Sequence, residues 1–168
     1  MDSNDIQHYL QLVGEELEAM GTHGKILLLG GAVMMLQVGN RNQTKDVDAA
    51  FEENAQAIRE AVSAVAEKED LDETWLNDGA KGFLYSEPDT VLLGNFAGLE
   101  VYIPTLDYLL AMKVIAGRDR DIRDADALVV HLGLQAPQEV LDILIKYIPR
   151  QYLTAQVQYT VESLFSEE

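Results

Sequence analysis

The chain has 168 residues, of which 48% are hydrophobic and 24% charged, and its formal net charge is −17. It contains no cysteine, which excludes disulfides and thiol catalysis. A length of this order suits one domain that buries roughly 68–70% of the surface of its unfolded chain, and we predict a single domain over residues 1–168. Because no apolar run reaches the ~20 residues of a membrane span and the acidic start differs from a signal peptide, we expect a cytoplasmic protein with no membrane partner.

Hydrophobic spacing predicts an amphipathic N-terminal helix over residues 4–20 and another helix around residues 58–66. Between them, four consecutive apolar residues, 26–29, predict a short buried strand, and a second extended run opens at Asp46. Residues 71–90 are rich in glycine and polar side chains, so we predict a loop there with one short strand at most.

Residues 91–95 and 99–103 predict two strands joined by a turn that ends in glycine. An apolar helix follows, with Thr105 as its cap and Gly117 as its stop. Since this helix is apolar nearly all round, we expect it to be buried. Two prolines separate further helices, so that C-terminal helices should occupy about residues 119–166.

Asp46 and Asp48 stand on either side of Val47. In a strand, residues i and i+2 point to the same face, so the two carboxylates would project together while Val47 faces the core. Two carboxylates this close repel each other unless a cation or a proton lies between them. Mg²⁺ is usually held by one or two carboxylates together with substrate phosphates. The alternative is a pair of solvated acids on the outer face of an edge strand.

Gly30 and Gly31 lie where the first strand turns into a helical segment. Glycine lets backbone N–H groups approach an anion closely, and a helix N-terminus favours negative charge. The pair therefore predicts a turn that contacts phosphate, although a tight turn that serves packing alone explains it equally well. The chain has neither a P-loop nor a dinucleotide-binding glycine motif.

Glu100 is a candidate third carboxylate. Glu100 and Tyr102 share one face of their predicted strand, so Glu100 could lie on the same side of a sheet as Asp46 and Asp48. Three carboxylates could hold two metal ions, which clamp the attacking and the leaving oxygens of an in-line displacement. The alternative is an ordinary surface glutamate.

Lys113 interrupts the apolar stripe of the buried helix. A buried ammonium needs a partner, which could be a carboxylate or a nucleotide phosphate, unless the side chain snorkels to the surface. Arginines and aspartates alternate over residues 118–126. Either the aspartates cap a helix and pair with the arginines locally, or Lys113 with Arg118 or Arg120 offsets triphosphate charge while an aspartate orients them.

Together these residues resemble a known family. The glycine pair, the pattern Arg41-x-x-Thr44-x-Asp46-x-Asp48, and the apolar helix that carries Lys113 and runs into an Arg-Asp-Arg-Asp sequence are similar to the minimal nucleotidyltransferases of the DNA polymerase β-like superfamily. Within that superfamily the chain most resembles the AbiEii-type enzymes of abortive-infection and toxin–antitoxin loci. The resemblance covers about residues 24–132.

The resemblance implies an α/β (mixed α+β) fold, with a small mixed sheet flanked by helices, an N-terminal helix and a C-terminal helical region. It also implies Mg²⁺ and transfer of a nucleoside monophosphate from an NTP to an RNA, such as a tRNA, or to a protein. The catalytic candidates, of which the first three would also bind metal, are Asp46, Asp48, Glu100, Lys113 and Asp121. The nucleotide-binding candidates are Gly30, Gly31, Arg41, Thr44, Lys113, Arg118 and Arg120.

The net charge of −17 opposes nucleic-acid binding over most of the surface. An RNA acceptor would need a local basic patch, built from Arg41, Lys45 and the cations of residues 113–123. A protein acceptor, or a basic partner such as a cognate toxin or antitoxin, would suit the acidic surface, which equally serves solubility. Two alternative interpretations of the chain stay open. The first is a non-catalytic binding module on the same fold, antitoxin-like or regulatory. The second is a generic α/β domain in which the Asp-x-Asp residues lie on the surface and have no function.

Overall fold

The computed structural model describes residues 1–79 and 85–166. These residues form two compact units. The first comprises residues 1–79 and 90–104 and contains the sheet; the second comprises residues 85–89 and 105–166 and is helical. That the whole chain is a single domain stays a prediction.

The first unit contains three α-helices, a π-helix and five strands in the part of the chain that is described. In chain order they are α1 (Ser3–Ala19), β1 (Gly24–Leu29), α2 (Gly31–Val33), the π-helix (Met34–Val38), β2 (Val47–Glu53), α3 (Ala55–Glu69), β3 (Leu76–Asn77), β4 (Thr90–Phe96) and β5 (Leu99–Pro104). The sheet order is β3-β2-β1-β5-β4. Strand β1 runs antiparallel to β2 and parallel to β5, so the sheet is mixed and the predicted α+β class is confirmed.

The predicted apolar stripes form the core of this unit. Helices α1 and α3 pack against each other and against the sheet, which confirms both helices predicted from spacing. Their buried side chains are Ile6, Leu10, Val13 and Leu17 in α1, and Ile58, Ala61, Val62, Val65 and Ala66 in α3. All four apolar residues of the predicted first strand are buried in β1.

The polar segment after α3 contains one short strand, β3, as predicted. Trp75, which precedes it, is buried and donates from Nε1 to the Val62 carbonyl oxygen at 3.4 Å. The remainder of this predicted loop includes residues 80–84, among them Gly82, which lie outside the described residues.

The second unit contains four α-helices and a 3₁₀ turn in its described residues. They are α4 (Leu106–Ala116), α5 (Asp119–Leu132), α6 (Pro137–Tyr147), the 3₁₀ turn (Arg150–Tyr152) and α7 (Ala155–Ser163). Helix α4 is largely buried, as its composition predicts. Gly117 ends it in the left-handed conformation, at φ 66°, and donates to the Lys113 carbonyl oxygen at 3.1 Å. Thr105 is the N-cap residue of the helix, as predicted, although its hydroxyl forms no capping hydrogen bond.

No single helix within residues 1–79 and 85–166 is long and apolar enough to cross a membrane. One pair, α5 and α6, passes that test jointly by length and composition, but the two helices are bent by 107°.

Helix α1 approaches the β4–β5 hairpin closely at Gly14. The Gly98 amide donates to the Gly14 carbonyl oxygen at 3.1 Å, and a Cβ built on Gly14 would lie 1.5 Å from the Phe96 carbonyl oxygen. Only a residue without a side chain therefore allows this packing.

We expect Gly14→Ala to lower the free energy of unfolding by about 1–3 kcal/mol, the usual cost of overpacking. The sign is informative, because replacing glycine by alanine within a helix normally stabilises by about 0.5–1 kcal/mol. Urea denaturation of the variant measures the change, with Glu15→Ala on the exposed side of α1 as the control. An unchanged or increased stability of Gly14→Ala would contradict the packing described.

Candidate functional site

The antiparallel pairing of β1 with β2 brings the glycine turn and the carboxylate pair together. Leu29, the last residue of β1, pairs with Asp48 of β2. Asp48 therefore lies beside Gly30, and a Cβ built on Gly30 would be 3.3 Å from Asp48 Oδ2. The structure thus joins two features that stand far apart in the sequence.

Glycine is required at position 30 by the backbone itself. Gly30 has φ 66° and ψ −143°, a conformation that is essentially restricted to glycine. It lets the chain turn from β1 directly into α2 and the π-helix. At the next residue, a Cβ on Gly31 would lie 3.0 Å from Arg41 Nη1, so the Arg41 guanidinium packs against the turn. Gly30, Gly31, Arg41 and Asp48 are therefore neighbours.

Asp46 lies one residue before β2 and is exposed. Its carboxylate makes no hydrogen bond or ion pair with any residue that the structure describes. The Thr44 hydroxyl donates to the Asp46 carbonyl oxygen at 2.9 Å, and the Thr44 amide donates to the Met1 carbonyl oxygen at 2.9 Å. Thr44 thus holds the backbone of this loop, and its predicted contact with nucleotide stays a prediction.

Asn77 of β3 holds the Asp48 side chain, a role that the sequence did not reveal. Asn77 and Asp48 pair in the parallel register of β2 and β3, and Asn77 Nδ2 donates to Asp48 Oδ1 at 3.2 Å. The Gly79 amide donates to Asn77 Oδ1 at 3.0 Å, which fixes the orientation of the Asn77 amide because only its oxygen can accept. A two-residue strand in a polar segment has no periodicity from which this pairing could be read.

Glu100 lies on the same face of the sheet as Asp48, but at the other end. Glu100 of β5 pairs with Lys25 near the start of β1, whereas Asp48 of β2 pairs with Leu29 at the end of β1. Four residues of strand separate the two positions by about 13 Å along β1, far more than Mg²⁺–oxygen distances of about 2.0–2.1 Å allow. The structure therefore does not bring Glu100 to Asp46 and Asp48, because alternation defines the face of a residue and not its position along the strand.

A larger metal cage is also absent from the described residues. No three histidine, aspartate or glutamate side chains come together there in a way that could hold an ion. Among the described residues, Asp48 is the carboxylate that lies against the glycine turn, and Asp46 stands two residues before it.

In the second unit, Lys113 has carboxylate partners. Its Nζ lies 2.9 Å from Asp124 Oδ2 and 3.5 Å from Asp121 Oδ1. Lys113 is only 8% exposed, and the two aspartates are 1% and 2% exposed. A buried ammonium with buried carboxylate partners confirms one of the sequence interpretations and excludes snorkelling. The predicted role of Lys113 and Asp121 in nucleotide transfer stays a prediction.

Arg118 pairs locally with Asp121, as the capping interpretation predicts. Arg118 Nε donates to Asp121 Oδ2 at 2.7 Å, and the Arg118 amide donates to the same oxygen at 3.2 Å. Burial raises the pKa of Asp121, but the Arg118 hydrogen bond and the charges of Lys113 and Arg118 outweigh it and lower the pKa below its ordinary value. Arg120 is exposed and makes no hydrogen bond or ion pair with the described residues.

Residues 8–145 match the sequence model of a protein family described as "Nucleotidyltransferase of unknown function (DUF6036)". The chain belongs to this nucleotidyltransferase family. No curated protein matches the chain. Among solved structures, the chain is similar to an antigenic nucleotidyltransferase-like protein from Paracoccidioides brasiliensis, with 14% identity over 94% of each chain and a TM-score of 0.45.

We expect Lys113→Met to lower the free energy of unfolding by about 3–5 kcal/mol, because removing one partner of a buried ion pair leaves uncompensated charge inside the protein. Urea denaturation measures this change. Arg120→Met, at an exposed position with no ion pair to the described residues, should stay within about 0.5 kcal/mol of the wild type. If both substitutions cost the same, Lys113 does not hold buried carboxylates.

The lowered pKa of Asp121 predicts how stability depends on pH. A carboxylate with a depressed pKa in the folded state contributes stability that is present above its unfolded pKa, near about 3.9, and is lost as the pH falls through the folded value. Arg118→Gln removes the main cause of the depression. The stability difference between wild type and Arg118→Gln should therefore be full near neutral pH and shrink below about pH 4. Urea titrations across this range measure it, with Arg123→Gln as the control; a constant difference would contradict the assignment.

Proposed function

We propose that this member of the nucleotidyltransferase family is Mg²⁺-dependent and transfers a nucleoside monophosphate from an NTP to an acceptor. One observation carries the proposal: the β1–β2 register sets the Asp48 carboxylate against the glycine turn. A turn of this kind offers backbone donors to phosphate, and the carboxylate offers oxygens to a cation. A site for a metal–nucleotide complex needs both features at one point.

The residues at the turn fit a magnesium ion. Asp48 directs Oδ2 towards Gly30, and the Asp46 carboxylate is not engaged by described residues. Mg²⁺ usually takes one or two carboxylates and completes its shell with phosphate oxygens and water. Asp46 and Asp48 would hold one ion in this way. The two-ion arrangement depended on Glu100, which lies too far along the sheet, so we propose a single ion.

Arg41 and the glycine pair would hold the phosphates. The Arg41 guanidinium packs against Gly31, and its planar donors suit phosphate oxygens. Gly30 permits a backbone path on which the amides that follow start a helical segment, where an anion is favoured. Bound beside these groups, Mg²⁺ would neutralise charge on the phosphoryl group that is transferred.

In the reaction, a hydroxyl oxygen of the acceptor forms a bond to the α-phosphorus, and the bond from that phosphorus to the β-phosphate oxygen breaks. Pyrophosphate leaves, and the hydroxyl proton passes to a base. We assign Asp46 as that base in addition to its role towards the ion: its carboxylate is exposed and not engaged by the described residues, so one oxygen would bind the ion and the other would take the proton. Asp48 is instead held in place by Asn77.

The acceptor is an RNA, such as a tRNA, or a protein. The net charge of −17 favours a protein with a basic surface over an extended nucleic acid. The resemblance to AbiEii-type enzymes supports a role in a toxin–antitoxin or phage-defence system, with a cognate toxin or antitoxin as partner. These assignments are part of the proposal.

A catalytically inactive binding module is the second candidate. The observation that favours it is the remote position of Glu100, because no third carboxylate among the described residues joins Asp46 and Asp48. Such a module would bind a nucleotide with Mg²⁺ and transfer nothing.

Thermal unfolding with each of the four NTPs, with and without Mg²⁺, tests the nucleotide site. A ligand at about 100 times its dissociation constant stabilises by about 2.7 kcal/mol, which for a chain of this size is about 5–10 °C in Tm. We expect a Mg²⁺-dependent shift that Asp46→Asn and Asp48→Asn abolish. Glu67→Gln, an exposed control, and Glu100→Gln should retain it.

Transfer of an α-phosphate label from the stabilising NTP to the RNA or protein fraction of a host lysate then separates the two candidates. Labelling of RNA or protein by the wild type but not by Asp48→Asn supports the enzyme. Nucleotide binding without label supports the binding module. Equal shifts in wild type and Asp48→Asn would contradict both.

A further inference from the structure

The two oxygens of the Asp48 carboxylate have different surroundings. Oδ1 accepts from Asn77 Nδ2 at 3.2 Å, and Oδ2 lies on the side of Gly30. The Asn77 amide is itself fixed, because its oxygen accepts from the Gly79 amide at 3.0 Å and its nitrogen also reaches the Thr74 carbonyl oxygen at 3.3 Å. A fixed donor on one oxygen restricts rotation of the whole carboxylate.

The parallel register of β2 and β3 makes this contact specific. Asn77 stands level with Asp48 across the two strands, so its side chain lies on the same face of the sheet as the carboxylate and reaches it. A neutral amide at this position donates to Asp48 without adding charge. A third carboxylate there would repel Asp48 unless a cation lay between the two.

We propose that Asn77 is a positioning residue for the cation and nucleotide site: its amide engages Asp48 Oδ1 and leaves Oδ2 to bind a divalent cation at the Gly30 turn. This inference rests on the proposed function. Asn77 touches neither cation nor nucleotide, and it acts through Asp48.

Asn77→Ala and Asn77→Asp test the inference, with Asn95→Asp as the matched control. Asn95 is exposed on β4 and pairs with Glu100, so Asn95→Asp also places a new carboxylate opposite an existing one in the same sheet, away from the glycine turn. Thermal unfolding is measured in EDTA, over a Mg²⁺ series without nucleotide, and with Mg²⁺ and the NTP that stabilises the wild type. Calorimetric titration at 20 °C gives the Mg²⁺ and Mg²⁺–NTP affinities of the folded proteins, separately from their stability.

We expect Asn77→Ala to weaken Mg²⁺-dependent NTP binding about 10–100-fold, the usual effect of removing a group that orients a metal ligand. Asn77→Asp, which keeps the acceptor for the Gly79 amide, should have a lower Tm than Asn95→Asp in EDTA. It should also bind Mg²⁺ alone at least about 10-fold more tightly than Asn95→Asp, because the cation relieves the repulsion that the substitution introduces.

The inference is overturned if Asn77→Ala binds Mg²⁺–NTP like the wild type, or if Asn77→Asp and Asn95→Asp respond equally to Mg²⁺. When the wild type binds Mg²⁺–NTP and Asp48→Asn does not, either of these results removes the role of Asn77 and leaves the proposed function standing. When the wild type binds no NTP with Mg²⁺, the proposed function fails. The Mg²⁺ response of Asn77→Asp without nucleotide then still decides whether Asn77 and Asp48 share a cation position.

Discussion

The register between β1 and β2 is the constraint on which the candidate site depends. Side chains alternate along a strand, so a slip of one residue would move Asp48 to the opposite face and separate it from Gly30. Apolar side chains hold this register, because Val47, Ala49 and Phe51 are at most 3% exposed and a slip would move them out of the core. Packing of the core on one face thus fixes the position of a carboxylate on the other.

The sequence predicted those parts of the fold that have a long apolar period, and it failed where position depends on distant pairing. Helices α1, α3 and α4 were predictable because burial of an apolar face leaves a regular spacing. Glu100 could be assigned to a face but not to a level of the sheet, since its level is determined by its pairing with Lys25. Asn77 gave no signal, because a two-residue strand has no measurable period.

Lys113 illustrates what desolvation alone can predict. The cost of burying an ammonium requires an oppositely charged partner, and this requirement is readable from the apolar residues around it. The sequence does not show which residues are the partners, because the segment after α4 contains several aspartates. Asp121 and Asp124, three residues apart in α5, lie on the same side of that helix and reach the ammonium together. The local arginine pairing and the buried lysine pairing therefore coexist at Asp121 and are not alternatives.

The aspartates of α5 differ from Asp46 and Asp48 in their burial and in their ion pairing. Asp121 and Asp124 of α5 are buried and paired with cations of the protein, so that removing a partner would leave uncompensated charge in the interior. The Asp46 carboxylate is exposed and unpaired by the described residues, and Asp48 keeps one oxygen towards the glycine turn. In a chain of net charge −17, a polyanionic nucleotide would be repelled from such a place unless a cation arrived with it. Under the proposed function, the electrostatics therefore favour a nucleotide that reaches this place together with its cation.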